Sequence, residues 1–154
     1  MKAIGLYKAA PVEMDGLFSE IDMETPKAEG RDILVRVKGI AVNPVDFKVR
    51  RGKADDGNFK ILGWDAAQFQ LVDERIVAPK PKSLGFADAA ALPLTAITAW
   101  EALFDRMMID RNAKDANAGK TLLVIGGAGG VGSIAIQLGK LAGLTVIATA
   151  SRPE

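Results

Sequence analysis

Short segments with a strand pattern occupy the first half of the chain. Residues 32–42 alternate between two faces, residues 69–78 do so only partly, and residues 2–7 and 17–23 are also predicted to be short strands. Pro44 interrupts the alternation, because proline cannot donate to a strand ladder, and a short helical turn is predicted from there to Arg50. The first half is therefore predicted to be rich in β-structure.

The spacing becomes helical from Ser83 onward. A helix is predicted to begin between Ser83 and Asp88, to be interrupted at Pro93, and to resume over residues 95–104. Residues 105–119 are polar and show no clear period, so they are predicted to form a connecting loop.

A strand, a glycine turn, a helix and a second strand are predicted in succession near the C-terminal end. Residues 121–126 form a continuous apolar run, which is typical of a strand covered on both faces. A G-x-G-x-x-G pattern follows at 127–132, then helical spacing over 133–142 and a second apolar run over 144–150. This succession spans about 30 residues, the length of one βαβ crossover.

Each glycine of the pattern has a predicted physical role. Gly127 would permit the tight turn out of the strand, Gly129 would let the backbone approach a pyrophosphate, and Gly132 would let helix and strand pack closely. The amides of Gly129, Gly130 and Val131 would then surround phosphate at the helix N-terminus. Two alternatives stay open: a glycine-rich turn in an ordinary α/β core, and the glycine loop of a methyltransferase. The order of the elements favours a dinucleotide.

The end of the second predicted strand indicates which dinucleotide binds. An NAD site usually has an acidic residue about 20 residues beyond the glycines, but no acidic residue lies between Ser133 and Pro153. Ser151 and Arg152 instead offer a hydroxyl and a guanidinium suited to a 2′-phosphate, so NADPH is predicted. The alternative is that Arg152 is a solvated surface residue and that Glu154 is a late acid.

Composition narrows the chemistry further. The 154 residues are 49% hydrophobic with a net charge of +1, which suits one globular domain or slightly more and gives no reason to expect nucleic acid or membrane as a partner. We expect a cytoplasmic protein, since no signal peptide or long apolar run is found. Cysteine and histidine are absent, so no thiolate or imidazole can act, and a zinc site is improbable. General acid–base catalysis would have to use Asp, Glu, Lys, Tyr7 or water.

The segment 121–152 resembles the nucleotide-binding start of the medium-chain dehydrogenase/reductase superfamily. Its nearest branch holds the quinone oxidoreductases and the zinc-type alcohol dehydrogenase-like proteins, and the resemblance extends to residues 41–52, 61–67, 71–84 and 89–104. It implies an α/β fold with a β-rich part: a partial GroES-like β domain over residues 1–84, then a helical connection and the first βαβ unit of a Rossmann fold over 85–154.

The resemblance also implies which residues meet substrate and nicotinamide. Asn43, Trp64 and Leu94 stand where the zinc-dependent members place metal ligands, so the family's zinc would be a property of relatives and not of this chain. Thr98 matches a threonine beside the nicotinamide, and Asp65 the acid after the histidine ligand. Asn43, Trp64 and Thr98 are therefore expected at the nicotinamide end. Alternatively, Asn43 stabilises its turn, Trp64 belongs to the core, and Thr98 bonds back within its helix.

Two departures from the family pattern bear on completeness. Gln68 follows Ala67 directly, where relatives have further strands, and the chain ends after a single βαβ unit. We expect a fragment, or a sequence assembled from ordered segments only.

The intact protein would be a metal-free, NADPH-dependent oxidoreductase acting on a quinone, enone or similar carbonyl. A truncated nucleotide-binding module without turnover is the alternative, and the absence of cysteine and histidine argues against a zinc alcohol dehydrogenase. The expected partner is a small-molecule substrate. Relatives of this kind often dimerise, so both a homodimer and a monomer stay open.

Overall fold

The computed structural model describes residues 1–9, 11, 13–52, 57–61, 63, 66–112 and 114–151. Two compact units follow each other along the chain, an N-terminal unit, Met1–Ala90, and a C-terminal unit, Ala91–Glu154. The sequence-based boundary at 84/85 falls before the last helix of the N-terminal unit. No helix among the described residues is long and apolar enough to span a membrane.

The described residues of the N-terminal unit form two small antiparallel sheets, two α-helices and a short 3₁₀ turn (Glu74–Ile76). One sheet has the strand order β2-β1-β4, and β3 pairs with β5 in the other. The elements are β1 (Lys2–Leu6), β2 (Ser19–Asp22), β3 (Asp32–Arg36), α1 (Pro44–Gly52), β4 (Lys60–Ile61), β5 (Phe69–Asp73) and α2 (Phe86–Ala90). The predicted strands are confirmed in shorter form, and the two-residue β4 was missed because so short a strand shows no alternation.

The predicted strand over 32–42 ends early, at Arg36. Gly39 lies against α2, where a Cβ atom on this glycine would be 2.8 Å from the Phe86 carbonyl oxygen. The segment therefore leaves the ladder to pack on a helix.

The direct connection at Ala67 is held by both sheets of this unit. Ala67 forms an antiparallel bridge to Ala3, and the Gln68 amide donates to the Lys2 carbonyl at 3.0 Å. On the other side, the Val37 amide donates to the Gln68 carbonyl at 3.0 Å. These bonds satisfy the backbone at the junction, so the shortened chain passes between the sheets without leaving these groups unpaired.

The C-terminal unit is built around a parallel strand pair. Its elements are α3 (Pro93–Trp100), a π-helical extension (Glu101–Arg106), a short 3₁₀ turn (Lys114–Asn117), β6 (Thr121–Val124), α4 (Gly130–Leu141) and β7 (Thr145–Ala148). Strand β6 pairs with β7 from Thr121↔Thr145 to Val124↔Ala148. The predicted βαβ unit is therefore confirmed. Pro93 begins α3 rather than merely interrupting a helix, which suits its fixed φ and missing amide hydrogen.

One face of this strand pair forms the core and the other is open. Leu122 and Val124 are buried together with Leu103 and Leu144. Helix α4 packs closely because Gly139 has no side chain: a Cβ there would lie 2.8 Å from Leu122 Cδ2. On the opposite face Leu123 is 57% exposed. The prediction that β6 is covered on both faces is wrong for this chain.

The predicted loop over 105–119 is partly helical. A π-helical turn extends α3 through Arg106, and the Met107 amide donates to the Ala102 carbonyl, five residues earlier. The predicted connecting loop is therefore wrong over residues 105–106 and 114–117, which are helical. At the first of these, helical hydrogen bonding continues beyond the point where the hydrophobic period stops.

Met108 follows the π-helical turn in a left-handed backbone conformation. Its φ is 54°, the one positive value among the non-glycine residues that the structure describes, and its side chain is 77% exposed. A left-handed conformation costs a side-chain-bearing residue roughly 1–2 kcal/mol. We expect Met108→Gly to raise the free energy of unfolding by about 0.5–1 kcal/mol, since glycine's greater freedom in the unfolded chain removes part of the gain. Chemical denaturation measures it.

Met107 supplies the matched control for this substitution. It is also exposed, but its φ is −82°, so Met107→Gly should lower the free energy of unfolding. Equal effects of the two substitutions would show that backbone strain at Met108 is not the cause.

Candidate nucleotide-binding site

The glycine turn connects the end of β6 to the start of α4. Gly126 has a φ of +75°, and its carbonyl accepts a hydrogen bond from the Gly129 amide at 3.0 Å. Gly129 is extended, with φ −75° and ψ 163°, and caps the helix that begins at Gly130. The left-handed residue of the tight turn is therefore Gly126, one position earlier than the sequence-based assignment to Gly127.

Gly127 and Gly132 are required for space rather than for backbone conformation. A Cβ on Gly127 would lie 2.8 Å from the Ala148 Cβ, so β7 fills that side of the turn. A Cβ on Gly132 would lie 2.4 Å from the Gly126 carbonyl oxygen and 2.9 Å from the Gly127 Cα. The close approach at Gly132 is thus between the first helical turn and the glycine turn, not between helix and strand as predicted.

The start of α4 offers open backbone amides. Within residues 114–151, all of which the structure describes, the amides of Gly130, Val131 and Gly132 have no hydrogen-bond acceptor. The predicted set of Gly129, Gly130 and Val131 is therefore wrong at Gly129, because its amide already donates to the Gly126 carbonyl. Gly129, Gly130 and Val131 are exposed, and no acidic residue lies in the first turn. Donors that converge at a helix N-terminus, where the dipole is positive, favour an anionic group. The turn is therefore not blocked by side chains and suits a pyrophosphate.

The end of β7 is tied to this turn. The Gly127 amide donates to the Thr149 carbonyl at 2.8 Å, and the Gly126 amide donates to Thr149 Oγ1 at 3.1 Å. Ser151, predicted at the 2′-phosphate, is exposed two residues further on, and Arg152 lies outside the described residues. Sequence reasoning missed Gly126 and Thr149, because a side-chain bond across 23 residues leaves no trace in local spacing.

Asn43 immediately precedes helix α1 in the N-terminal unit. Its backbone amide donates to Asp46 Oδ2 at 2.6 Å, and its side-chain Nδ2 donates to the Ala41 carbonyl at 3.3 Å. This is the reciprocal part of a helix-capping arrangement, so Asp46 is a helix-start residue. Asn43 stabilises its turn, as the alternative interpretation holds; a cofactor contact from its remaining oxygen stays a prediction.

Thr98 belongs to the C-terminal unit, on α3. Its hydroxyl donates to the Leu94 carbonyl at 2.7 Å, which is the back-bonding alternative given by the sequence. The oxygen retains lone pairs that could accept a hydrogen bond, so a role beside a nicotinamide stays a prediction. Trp64 and Asp65 lie outside the described residues.

No metal centre is evident in the part of the chain that the structure describes, where no three metal-ligating side chains cluster. Asn43 and Leu94, which the resemblance aligns with the family's zinc ligands, are not of the residue types that zinc prefers. Among the described residues, the displaced pKa values belong to surface pairs of the N-terminal unit: a hydrogen bond from Arg75 lowers the pKa of Asp73, and one to Glu20 raises the pKa of Lys2. Neither pair indicates a catalytic acid or base.

Similar proteins identify the family of this chain, although no family model matches its sequence. The chain is 41% identical to a zinc-type alcohol dehydrogenase-like protein of Staphylococcus aureus (strain Mu50 / ATCC 700699) over 186 aligned positions. Among solved structures, it is similar to a protein of Rhizobium etli CFN 42 named as a zinc-dependent alcohol dehydrogenase (TM-score 0.83, 45% identity). It is also similar to the quinone oxidoreductase of Thermus thermophilus, solved also in complex with NADPH (TM-score 0.77, 27% identity).

These matches cover nearly all of this chain and about half of each relative. All of the chain aligns with 55% of the Staphylococcus aureus protein, and 99% of it with 54% of either solved structure. The alignment with the Staphylococcus aureus protein is longer than the chain, 186 positions against 154 residues, so that relative has residues without a counterpart here. The fold is a partial GroES-like β domain followed by the first βαβ unit of a Rossmann fold. The chain belongs to the medium-chain dehydrogenase/reductase superfamily, in the branch of the quinone oxidoreductases and zinc-type alcohol dehydrogenase-like proteins.

Proposed function

We propose that this chain is the coenzyme-binding part of an NADPH-dependent oxidoreductase that reduces a quinone, an enone or a similar conjugated carbonyl. The observation that carries the proposal is the exposed glycine turn with three open amides at the start of α4. The similarity to proteins named quinone oxidoreductase and alcohol dehydrogenase supports the same reaction class.

The chain's own residues would hold the two ends of the coenzyme differently. The amides of Gly130, Val131 and Gly132 would bind the pyrophosphate, while Ser151 and Arg152 would bind the 2′-phosphate. Asn43, Trp64 and Thr98 would orient the nicotinamide end. When bound, NADPH supplies the hydride. Catalysis by the protein then rests on orientation and on exclusion of water from the reacting groups.

The proton would come from water or a nearby hydroxyl. These 154 residues contain no histidine or cysteine, so they do not themselves offer an imidazole, a thiolate or the usual zinc ligands for this step. A protein that only orients coenzyme and substrate is suited to a conjugated carbonyl substrate. Conjugation lets the carbonyl oxygen take the negative charge that the hydride brings.

A nucleotide-binding module without turnover is the second candidate. One observation favours it for these 154 residues: the strand pair β6–β7 leaves Leu123 and Ile147 more than half exposed on the face opposite α4. A dinucleotide fold uses two βαβ halves, and here a single unit supplies the adenosine side. NADPH binding without oxidation by any quinone or enone would support this candidate.

Calorimetric titration with NADPH and NADH tests the coenzyme assignment. We expect NADPH to bind at least about tenfold more tightly, equal to about 1.4 kcal/mol, because Ser151 and Arg152 contact the 2′-phosphate. Arg152→Ala should remove most of this preference by weakening NADPH while leaving NADH unchanged. Arg36→Ala, which removes an exposed arginine of β3, is the control and should change neither. Equal affinities for the two coenzymes in the unmodified chain would contradict the assignment.

A further inference from the structure

Thr149 makes three hydrogen bonds to the segment that leads into the glycine turn. Its amide donates to the Val124 carbonyl at 3.0 Å, its carbonyl accepts from the Gly127 amide at 2.8 Å, and its Oγ1 accepts from the Gly126 amide at 3.1 Å. The first two are backbone bonds that any residue could make. The third depends on the side chain and lies beyond the last paired strand residues, Val124 and Ala148.

The side-chain bond acts on the residue that sets the geometry of the turn. Gly126 is the left-handed residue, and its carbonyl accepts from the Gly129 amide at 3.0 Å. The Gly126 carbonyl oxygen also lies against Gly132, since a Cβ on Gly132 would be 2.4 Å from this oxygen. The orientation of the peptide groups at Gly126 therefore determines where the open amides of Gly130, Val131 and Gly132 are directed.

We propose that Thr149 is a positioning residue for coenzyme binding: its hydroxyl oxygen holds the Gly126 amide and so aligns the helix start with the pyrophosphate. This inference rests on the proposed nucleotide-binding function and adds a residue to it. Thr149 touches neither reacting atoms nor the 2′-phosphate in this account. It acts through the part of the site that NADPH and NADH share, so its loss weakens both coenzymes by the same factor.

Calorimetry on four variants of the chain tests the proposal. Thr149→Val and Thr149→Ala remove the acceptor oxygen and should each raise the Kd for NADPH and for NADH roughly three- to tenfold, the range for one exposed hydrogen bond. Thr149→Ser keeps the oxygen and should bind within about twofold of the unmodified chain. Thr145→Val, an exposed threonine at the start of β7, four residues before Thr149, is the matched control and should bind normally.

The outcomes separate this inference from the function on which it rests. If the unmodified chain binds neither coenzyme, the proposed function fails and the inference with it. If the unmodified chain binds NADPH and both Thr149→Val and Thr149→Ala bind it equally well, only the inference is overturned. Failure of Thr149→Ser to restore binding, or a loss confined to NADPH, also overturns it, because neither is expected of an oxygen that acts on the shared turn.

Discussion

Replacing Gly132 with alanine is expected to abolish measurable NADPH binding and to destabilise the chain. The added Cβ would lie 2.4 Å from the Gly126 carbonyl oxygen and 2.9 Å from the Gly127 Cα, and both obstacles are backbone atoms that cannot rotate away. Relief requires α4 and the turn to separate, which displaces the open amides. Overpacking of this kind costs about 1–3 kcal/mol of unfolding free energy. Chemical denaturation and calorimetry measure the two effects.

Gly85 provides the matched glycine-to-alanine control. A Cβ there would meet only Asp88 Oδ2, at 3.7 Å, which is ordinary contact. Gly85→Ala should therefore leave NADPH binding unchanged and the free energy of unfolding within about 0.5 kcal/mol. If Gly132→Ala binds NADPH as tightly as Gly85→Ala does, the turn cannot have the close packing that the site needs.

Replacing Asn117 with alanine is expected to lower the free energy of unfolding by about 2–5 kcal/mol. Asn117 is fully buried, and its Nδ2 donates to the Asp110 carbonyl at 2.6 Å and to the Ala142 carbonyl at 2.9 Å. The substitution removes this donor from the Ala142 carbonyl, whose bond is buried, at about 1–3 kcal/mol, and from the Asp110 carbonyl, whose bond is half-buried, at a smaller cost. It also opens a cavity behind the end of α4. Thermal or chemical unfolding measures the loss.

Asn112→Ala is the control. Asn112 is exposed, and among the described residues its hydrogen bond is made by the backbone amide, which donates to Asp110 Oδ1 at 2.8 Å and which alanine retains. It should change the free energy of unfolding by less than about 0.5 kcal/mol. Similar effects of the two asparagine substitutions would show that the buried amide of Asn117 does not tie residues 107–119 to the end of α4.

The βαβ unit could be predicted because three local signals agree over residues 121–150. The apolar runs, the glycines and the helical spacing each correspond to an element that the structure contains. The exact roles of the glycines could not be predicted, since sequence does not give the sign of φ. Gly126 and Gly127 are adjacent and chemically identical, yet one supplies the left-handed turn and the other the space for β7.

Hydrogen bonds between distant residues account for most of what the sequence did not reveal. The bonds from Asn117 to Ala142 and from Gly126 to Thr149 cross 25 and 23 residues. Asn117 therefore resembled any polar loop residue, and Thr149 any strand residue. The local bonds were foreseeable: Thr98 and Asn43 both adopt the structural alternatives that the sequence offered. Their side chains are engaged close to their own positions in the chain.

The coverage of β6 was predicted wrongly for a physical reason. A continuous apolar run is typical of a strand with helices on both faces, and α4 covers one face only, leaving Leu123 and Ile147 exposed. The apolar run therefore does not by itself tell how many faces of the strand are covered.

The proposed function depends on pyrophosphate binding by the amides at the start of α4. Backbone amide resonances of ¹⁵N-labelled protein, followed during titration with NADPH, test it most directly. We expect saturable downfield shifts of the Gly130, Val131 and Gly132 amide protons, because each gains a charged acceptor. Saturation that shifts other amides while these three stay unchanged would contradict it.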